Sequence, residues 1–495
     1  MNRRGKPVEL SLANLDRLPG TVTGPRYDRA SLSPGILHIG VGNFHRSHQT
    51  VYMDRLFEQG LDLDWAIVGA GIKPFDAERR RLLAAQDWLT TVVDLGPDES
   101  SARVIGAMVD YCEVRPEAIV ARLADPAIRI VSLTITEGGY YTDAATGGFD
   151  AGHPDIRHDA QHPTNPQTVF GVLLAGFGER RARNLAPFTV LSCDNLPENG
   201  NVTQQSVLGL AALVSGDLRD WIAANVAFPN SMVDCITTAT SERERELVAD
   251  RFGLHDAAPV ACEPFRQWVI EDDFPQGRPM LERVGVQFVD DVTPYETMKL
   301  RILNAGHAAI AYPSALLGYE AVHDAMGDAD IADWLKQLMR REVIPVLAPI
   351  CGLDFDAYLE TCVRRFSNPA IGDTVARLCQ DGSNRLPNSF LPTVSDALQR
   401  GAPVEGLTLG IAFWCQYCAT ATASGVAIQD PMSGRLTAAA RAARDEPTAF
   451  LGLSKVFGNL SRRKPFVETF ARQLEALYSH GPRKALHQFF DSAGA

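Results

Sequence analysis

The first half of the sequence alternates short apolar runs, rich in β-branched residues, with segments of helical periodicity. Strands that alternate with helices form a parallel sheet that the helices cover on both faces. In such sheets ligands bind beyond the carboxyl ends of the strands. This sequence places Gly40, Gly71, Glu137 and Asn195 at those ends. The predicted strands are residues 35–40, 64–71, 128–136 and 188–193, and the predicted helices are residues 49–59 and 77–85.

The second half has long Ala-, Leu- and Arg-rich segments and few β-branched runs, which predicts helices. A chain of 495 residues is too long for one ordinary core. We therefore expect an α/β protein with a Rossmann-like N-terminal domain with additions (1–290) and a mainly α-helical C-terminal domain (291–495). The boundary is placed near residues 290–293, where an acidic pair precedes Thr-Pro. The helices predicted in the second half are residues 331–347, 371–378, 404–422 and 434–443.

Composition argues against several classes of protein. Apolar residues make up 45% and charged residues 22%, which is typical of a globular protein and not of a disordered one. The net charge of −13 provides no basic surface for nucleic acid. The uncharged run at 406–429 contains Thr408, Gln416 and Ser424, so it predicts a helix buried within the helical domain and not a membrane span.

The N-terminus and the cysteines indicate a cytoplasmic protein. The basic residues 1–6 lead into a polar segment, so no secretory signal is expected. Nine cysteines, an odd number, fit free thiols in a reducing compartment. Cys415 and Cys418 form a lone C-x-x-C, and structural zinc needs four ligands. We predict two thiols on a buried helix there, and no metal.

A glycine-rich turn follows the first predicted strand. Gly40 permits a tight turn, and Gly42 allows the backbone to approach a pyrophosphate at the start of a helix that contains Asn43 and Phe44. His45 stands where the third glycine of a dinucleotide-binding loop normally is. The turn predicts a dinucleotide cofactor.

The choice between NAD and NADP depends on the end of the second strand. Asp76 is the candidate for binding the adenosine ribose, which favours NAD. It lies further from the loop than the usual spacing. Lys73 and the three arginines 79–81 surround it and could accept a 2′-phosphate, so NADP stays possible.

The densest cluster of chemically versatile side chains is the segment 295–307. Alcohol oxidation needs a base for the hydroxyl proton and donors for the developing oxyanion, and a lysine of lowered pKa can act as that base. The alternative is a helix with a solvated lysine and a core histidine. The spacing Tyr295-x-x-x-Lys299 also matches short-chain dehydrogenases, but it lies far beyond the glycine loop, and we reject that interpretation. On an α-helix, the residues that fall within one arc of about 140° are Glu296, Lys299, Asn304 and His307.

The chain resembles the polyol-specific long-chain dehydrogenases, the mannitol dehydrogenase family. The most specific match is Lys-x-x-x-x-Asn-x-x-His after Thr-Pro-Tyr-Glu, and Gly-Val-Gly-Asn-Phe-His-Arg and Thr-Glu-Gly-Gly also agree. The resemblance covers most of the chain. The matching segments are 39–48, 132–140, 192–197, 228–234, 262–265, 286–307, 365–368 and 381–387.

The resemblance implies metal-free oxidation of a secondary alcohol on a C5 or C6 polyol, such as mannitol to fructose, in a cleft between the two domains. It implies Lys299 as general acid/base. It also implies a function for seven further residues: Asn195 and Asn304 as the oxyanion-binding pair, His307 as the residue that positions a substrate hydroxyl, Glu296 in proton exchange, Asp234 and Arg377 as polyol contacts, and Glu137 on the cofactor side.

Two departures from the family pattern leave the exact substrate open. Cys235 stands where the family usually has arginine, and Arg385 replaces a substrate-contacting lysine with a planar fork. Arg377 and Arg385 could instead serve a carboxylate, as in a keto-uronate (fructuronate) reductase. A non-enzymatic NAD sensor is disfavoured because a sensor needs no oxyanion site. We expect a monomer, since a subunit of this length buries enough surface to be stable alone.

Overall fold

The computed structural model describes residues 6–143, 146–421, 425 and 427–491. The chain divides into two compact units, Met1–Thr293 (unit 1) and Pro294–Ala495 (unit 2). Most of the basic N-terminal run, residues 1–5, lies outside the described residues. So do residues 422–424 and 426 of the predicted uncharged helix.

The strands of unit 1 form four sheets, of which the central one has five strands in the order β7-β4-β3-β8-β9, all parallel. The other sheets have the orders β12-β5-β6-β2, β10-β13-β14 and β1-β11. The strands are β1 (Val8–Glu9), β2 (Val22–Thr23), β3 (Pro34–Ile39), β4 (Ala66–Ala70), β5 (Thr90–Leu95), β6 (Ser100–Ile105), β7 (Met108–Tyr111), β8 (Ile130–Leu133), β9 (Thr189–Ser192), β10 (Ser231–Asp234), β11 (Leu254–His255), β12 (Val260–Cys262), β13 (Gln267–Glu271) and β14 (Gln287–Val289).

The central sheet is buried on both faces. Leu37 and Ile39 of β3 belong to one apolar cluster, which includes Phe170 and Phe177. Ile36 of the same strand belongs to a second cluster on the opposite face. Successive side chains of a strand point to opposite faces, so an uninterrupted apolar run is what a sheet covered on both sides requires. The predicted parallel sheet is confirmed.

Helices pack on the strands of unit 1, and their ends differ by a few residues from the sequence prediction. The helix predicted at 77–85 begins earlier, at Pro74, because proline suits the first turn of a helix and Asp76 caps that turn. The helices are α1 (Asn43–Ser47), α2 (Gln49–Phe57), α3 (Pro74–Ala84), α4 (Pro116–Leu123), α5 (Pro154–Gln161), α6 (Val169–Ala182), α7 (Asn199–Val214), α8 (Gly216–Asn225) and α9 (Glu242–Phe252).

Unit 2 is helical throughout its described residues apart from loops and one isolated bridge. The predicted fold class, a Rossmann-type domain followed by a mainly helical one, is therefore confirmed. The helices are α10 (Thr293–Met298), α11 (Ala305–Leu316), α12 (Val322–Gly327), α13 (Ala329–Leu338), α14 (Phe355–Phe366), α15 (Val375–Leu378), α16 (Gly382–Ser389), α17 (Leu391–Arg400), α18 (Glu405–Thr420), α19 (Ser433–Ala442), α20 (Thr448–Leu451), α21 (Ser454–Phe457), α22 (Lys464–His480) and α23 (Pro482–Asp491).

The uncharged run forms the centre of unit 2. Helix α18 is buried along nearly its whole length, and both Cys415 and Cys418 are fully covered. Burial raises the pKa of both thiols. Among the described helices, none combines the length and apolarity that a membrane span requires.

Candidate active site

The carboxyl ends of four neighbouring strands place predicted site residues on one edge of the central sheet. Strands β4, β3, β8 and β9 lie side by side and run parallel, so their carboxyl ends share that edge. This is the edge at which open α/β sheets bind ligands. The residues that follow these strands are Gly71, Gly40, Glu137 and Asn195, in the same order.

The two glycines of the loop meet different constraints. Gly40 has φ +97°, and a Cβ there would lie 2.1 Å from the carbonyl oxygen of Thr134, so only glycine fits. At Gly42 the nearest atom to an added Cβ is the carbonyl oxygen of Gly40, at 3.7 Å. The fold itself therefore does not require glycine at position 42. An open position next to a helix start is what close approach of a pyrophosphate would need.

Asn43 and Arg46 connect the glycine loop to its surroundings. Arg46 is fully buried, donates through Nε to the carbonyl of Gly42, and donates through Nη2 to Asn43 Oδ1 at 2.8 Å. Asn43 Nδ2 donates to the carbonyl of Thr238 at 2.9 Å. Arg79 of α3 donates to the same Asn43 oxygen at 3.2 Å. Burial and the charge of Arg79 lower the pKa of Arg46 to about 9.

His45, which replaces the third glycine of the loop, packs its ring against that of a second histidine, His38. His45 stacks on His38 of β3, with ring centroids 3.5 Å apart and planes inclined by 8°. His38 is held by the hydroxyls of Ser132 at 2.8 Å and Thr134 at 3.0 Å. Burial lowers the pKa of His38 to about 3 and that of His45 well below its usual value. Both rings are therefore neutral near pH 7.

Phe44 and Asp76, two residues predicted to bind the cofactor, both contact other residues of unit 1. Phe44 is half-buried and stacks on His48 at 4.8 Å. Asp76 Oδ2 accepts a hydrogen bond from the Lys73 backbone N–H at 2.9 Å, which caps α3. The Asp76 carboxyl group also lies against Gly71, where an added Cβ would be 2.4 Å from its carbon. The carboxyl group thus stands at the end of β4, and burial raises its pKa.

Asp194 fixes the loop that carries Glu137. Its two carboxylate oxygens accept hydrogen bonds from the backbone N–H groups of Ile135 and Thr136, at 2.8 and 2.9 Å, and from the Tyr140 hydroxyl at 2.7 Å. Thr136 has φ +64° and ψ 162°, a region that is essentially restricted to glycine. The clamp offsets the cost of this backbone strain and holds exposed Glu137 at the end of β8.

Three further features of unit 1 lie at the carboxyl ends of β9 and β10. Asn195 is exposed directly after Asp194 in the loop that follows β9. Asp234 is the last residue of β10 and is buried. Cys235 is buried next to it.

The four predicted catalytic residues of unit 2 lie along one continuous helical stretch. Helix α10 ends at Met298, a π-helical turn covers Lys299–Asn304, and α11 begins at Ala305. A π turn bonds each N–H five residues back and rotates the chain less per residue than an α-helix does. The arc of about 140° was calculated for a regular α-helix, so its value does not apply across this turn, and the shared face of the four residues stays a prediction. Glu296, Lys299 and His307 are buried, and Asn304 is half-buried.

His307 is neutral and lies in a cationic environment. Its ring lies against Phe366, with centroids 4.1 Å apart. Burial lowers its pKa well below the usual value, and the charges of Arg377, Arg385 and Arg365 lower it further. A neutral imidazole can donate one hydrogen bond and accept another, which suits the positioning of a hydroxyl group.

Arg377 and Arg385 have different partners. Arg377 Nε and Nη2 both donate to the Asp373 carboxylate, in a bidentate pair within one turn of the chain. Arg385 Nη1 donates to the backbone carbonyls of Leu378 at 3.0 Å and Gln380 at 3.4 Å. Arg385 thus lies at the carboxyl end of α15, where a cation is favoured by the helix dipole.

Two positioning residues escaped the sequence analysis. Arg46 lies inside the matched Gly-Val-Gly-Asn-Phe-His-Arg motif, and Asp194 directly precedes Asn195. Arg46 and Asp194 lie in the segments 39–48 and 192–197, but only the three-dimensional structure shows that their side chains bind loop backbone. A charged residue inside an otherwise apolar or glycine-rich motif was the available signal.

Comparison with known proteins covers both units. Residues 34–283 match the model of the mannitol dehydrogenase Rossmann domain, and residues 291–478 match that of the mannitol dehydrogenase C-terminal domain. A mannitol 2-dehydrogenase of Cereibacter sphaeroides is 51% identical over 95% of this chain and 99% of its own. The structure of Pseudomonas fluorescens mannitol 2-dehydrogenase in ternary complex with NAD and D-mannitol matches with TM-score 0.84 and 43% identity, over 98% of this chain and 100% of that one. A substrate-free D-sorbitol dehydrogenase matches with TM-score 0.90 and 35% identity, over 96% and 100%. The chain belongs to the mannitol dehydrogenase family.

Proposed function

We propose that this protein is an NAD-dependent polyol dehydrogenase that reversibly oxidises a secondary hydroxyl of a linear C5 or C6 polyol. The observation that carries the proposal is the 51% identity to a mannitol 2-dehydrogenase over 95% of the chain. A related structure holds NAD and D-mannitol together, which fits the same assignment. We assign cofactor binding to residues 1–290 and acid/base chemistry to residues 291–495, in a cytoplasmic, monomeric protein.

The glycine loop fits a dinucleotide. Gly42 leaves open the space that a Cβ would fill, and buried Arg46 and half-buried Arg79 supply positive charge nearby. NAD, when bound, accepts the hydride. Asp76 at the end of β4 favours an unmodified ribose, while Lys73 and the adjacent arginines leave NADP possible. The residues assigned to the cofactor are Gly40, Gly42, Asn43, Phe44, Asp76 and Glu137.

The side chains assigned to the reaction can move the proton and stabilise charge without a metal. Lys299 takes the hydroxyl proton during oxidation and returns it during reduction. The amides of Asn195 and Asn304 donate hydrogen bonds to the oxygen as it becomes negative. His307, Asp234, Arg377 and Arg385 position the polyol, and Glu296 passes the proton between Lys299 and solvent.

A keto-uronate reductase is the second candidate, and the three arginines around His307 favour it because they would attract a carboxylate. The guanidinium group of Arg377, however, already binds the carboxylate of Asp373 through two hydrogen bonds. A substrate carboxylate would have to displace this pair. The uncharged polyol is therefore the better substrate class.

The first experiment measures the absorbance of reduced nicotinamide. Purified protein is mixed with NAD or NADP and with mannitol, sorbitol, arabinitol or xylitol, and fructuronate is tested with reduced cofactor. We expect turnover with NAD and at least one alditol. Turnover with fructuronate alone would move the protein to the uronate class, and no turnover with any alditol would overturn the proposal.

The role of Lys299 has its own test. Lys299→Met keeps most of the side-chain volume but cannot transfer a proton, so kcat should fall about 10³-fold, while the Kd of reduced nicotinamide cofactor stays unchanged. Lys299→Ala should regain part of its rate on addition of a small primary amine. A rate loss below tenfold in both variants would exclude Lys299 as the acid/base.

A further inference from the structure

A cavity in unit 1 shares no residue with the candidate active site. Its volume is about 390 Å³, which is within the range of small-molecule sites. It lies at the carboxyl end of α2, whose amino end follows the glycine loop and α1. We name it the arginine pocket. Its lining residues are Thr23, Gly24, Arg26, Arg55, Glu58, Gln59, Arg103 and Val284.

Positive charge exceeds negative charge in the arginine pocket. Three guanidinium groups face it, with one carboxylate, that of Glu58. Arg103 pairs with buried Asp54 at 2.9 Å and with Glu58 at 3.5 Å. Glu58 also accepts a hydrogen bond from the backbone N–H of Arg26 at 2.8 Å. The carboxylates of Asp54 and Glu58 are therefore already bound, by Arg103 and, for Glu58, also by a backbone N–H group.

Arg26 and Arg55 contribute the other two guanidinium groups of the arginine pocket. Within the residues that the structure describes, neither makes an ion pair or a side-chain hydrogen bond, and both are exposed to solvent. Burial of part of the Arg55 side chain lowers its pKa, and repulsion from Arg266 and Arg103 lowers it further, whereas Tyr52 and Asp94 oppose the shift. Of the two repelling cations, Arg103 also lines the arginine pocket, and an anion bound between Arg55 and Arg103 would relieve their repulsion. Such a local excess of cations is notable in a chain of net charge −13.

We propose that the arginine pocket binds the phosphate group of a small phosphorylated metabolite. Planar guanidinium forks match tetrahedral oxyanions and bind them bidentately, which a single ammonium group cannot do. The volume exceeds that of a free phosphate, and Thr23 and Gln59 supply a hydroxyl and an amide for a polar body. A phosphate monoester of a sugar or sugar alcohol has this combination. The proposal does not depend on the reaction assigned to the active site.

Calorimetric titration of the full chain tests the proposal. Inorganic phosphate and sorbitol 6-phosphate are titrated separately, at constant ionic strength so that general screening stays fixed. Reduced nicotinamide cofactor is present in excess, to fill phosphate-binding groups at the glycine loop. The variants are Arg26→Gln, Arg55→Gln and the double variant. Arg157→Gln, at an exposed position of α5, is the matched control.

We expect saturable binding with one site per chain, weakened at least tenfold in the double variant and unchanged in Arg157→Gln. Tighter binding of sorbitol 6-phosphate than of inorganic phosphate would identify a monoester as the ligand class, and equal binding would identify free phosphate. No saturable binding of either probe, or equal binding by wild type and double variant, would overturn the proposal. Failure of the cofactor to bind would count against the proposed reaction and would leave this comparison intact.

Discussion

At the scale of single residues, three buried histidines make the stability of the protein depend on pH. The pKa values of His38, His45 and His307 are all lowered, chiefly by burial. In an unfolded chain a histidine titrates near pH 6.5. Between that pH and the lowered folded pKa, the unfolded chain binds more protons than the folded one. Stability is therefore fully present above about pH 6.5 and is lost as the pH falls below it.

We predict that the free energy of unfolding falls by up to about 1.4 kcal/mol per pH unit for each of these histidines below pH 6.5. His45→Phe should reduce this slope by the contribution of one group. Neither ring nitrogen of His45 has a hydrogen-bond partner within the described residues, so a phenyl ring loses no bond. Urea unfolding at a series of pH values measures the slope.

The control for His45→Phe is His480→Gln, at an exposed position near the end of α22. Packing changes shift stability by an amount that does not depend on pH, so the slope isolates the protonation effect. An unchanged slope in His45→Phe would show that folding does not lower the pKa of His45, and would contradict this prediction.

At the scale of elements, the two glycines of the loop between β3 and α1 have different functions: we expect Gly40 to be needed for folding and Gly42 for cofactor binding. Gly40→Ala places a Cβ 2.1 Å from the Thr134 carbonyl oxygen at positive φ, so it should lower the free energy of unfolding by about 3 kcal/mol or more. Gly42→Ala meets no atom closer than 3.7 Å. It should leave the Tm within a degree or two of wild type and weaken NAD binding about tenfold or more, because a methyl group would meet the pyrophosphate.

Thermal unfolding and cofactor titration of both glycine variants check this prediction. If Gly42→Ala binds NAD as wild type does, the glycine loop is not the pyrophosphate site. If Gly40→Ala is as stable as wild type, the loop after β3 is not held as the structure has it.

Local pattern was enough to predict the strands at 35–40 and 188–193, because apolar β-branched runs bounded by polar residues are strong signals. Their ends needed tertiary structure. The strand predicted at 64–71 begins only at Ala66, because Leu63–Trp65 form a 3-10 turn before it. In the helix predicted at 331–347, the α-helical part ends at Leu338 and a π turn follows at Met339–Val343. The hydrophobic periodicity of the sequence does not predict this turn.

The candidate site was predictable where a motif carries it and not where tertiary contacts build it. The positions of Gly40 and Asn195 after neighbouring strands followed from the alternation of strands and helices. The clamp from Asp194 to the backbone of Thr136 joins segments 58 residues apart, and the stacking of His45 on His38 depends on packing. Contacts of this kind produce no recognisable spacing of residues in the sequence, so they could not be predicted from it.

At the scale of the whole molecule, the exposed apolar surface bears on the oligomeric state. The large apolar side chains exposed in the described residues are Leu12, Phe75, Leu213 and Met280, single residues well separated in sequence. A stable homodimer interface buries above about 1,000 Å² and has an apolar centre. We therefore predict a monomer of 53.9 kDa, measured by light scattering coupled to size exclusion. A mass twice as large, constant on dilution, would contradict this.

The most direct test of the central claim follows the hydride itself. An alditol that is turned over with NAD is supplied with deuterium on every secondary carbon and none on the primary carbons, and the reduced cofactor is analysed by mass spectrometry. The account predicts that the cofactor gains one deuterium per turnover, since hydride leaves a secondary carbon. Reduced cofactor without deuterium would mean that a primary carbon or another donor is oxidised, and would contradict the assignment of this protein as a secondary-alcohol polyol dehydrogenase.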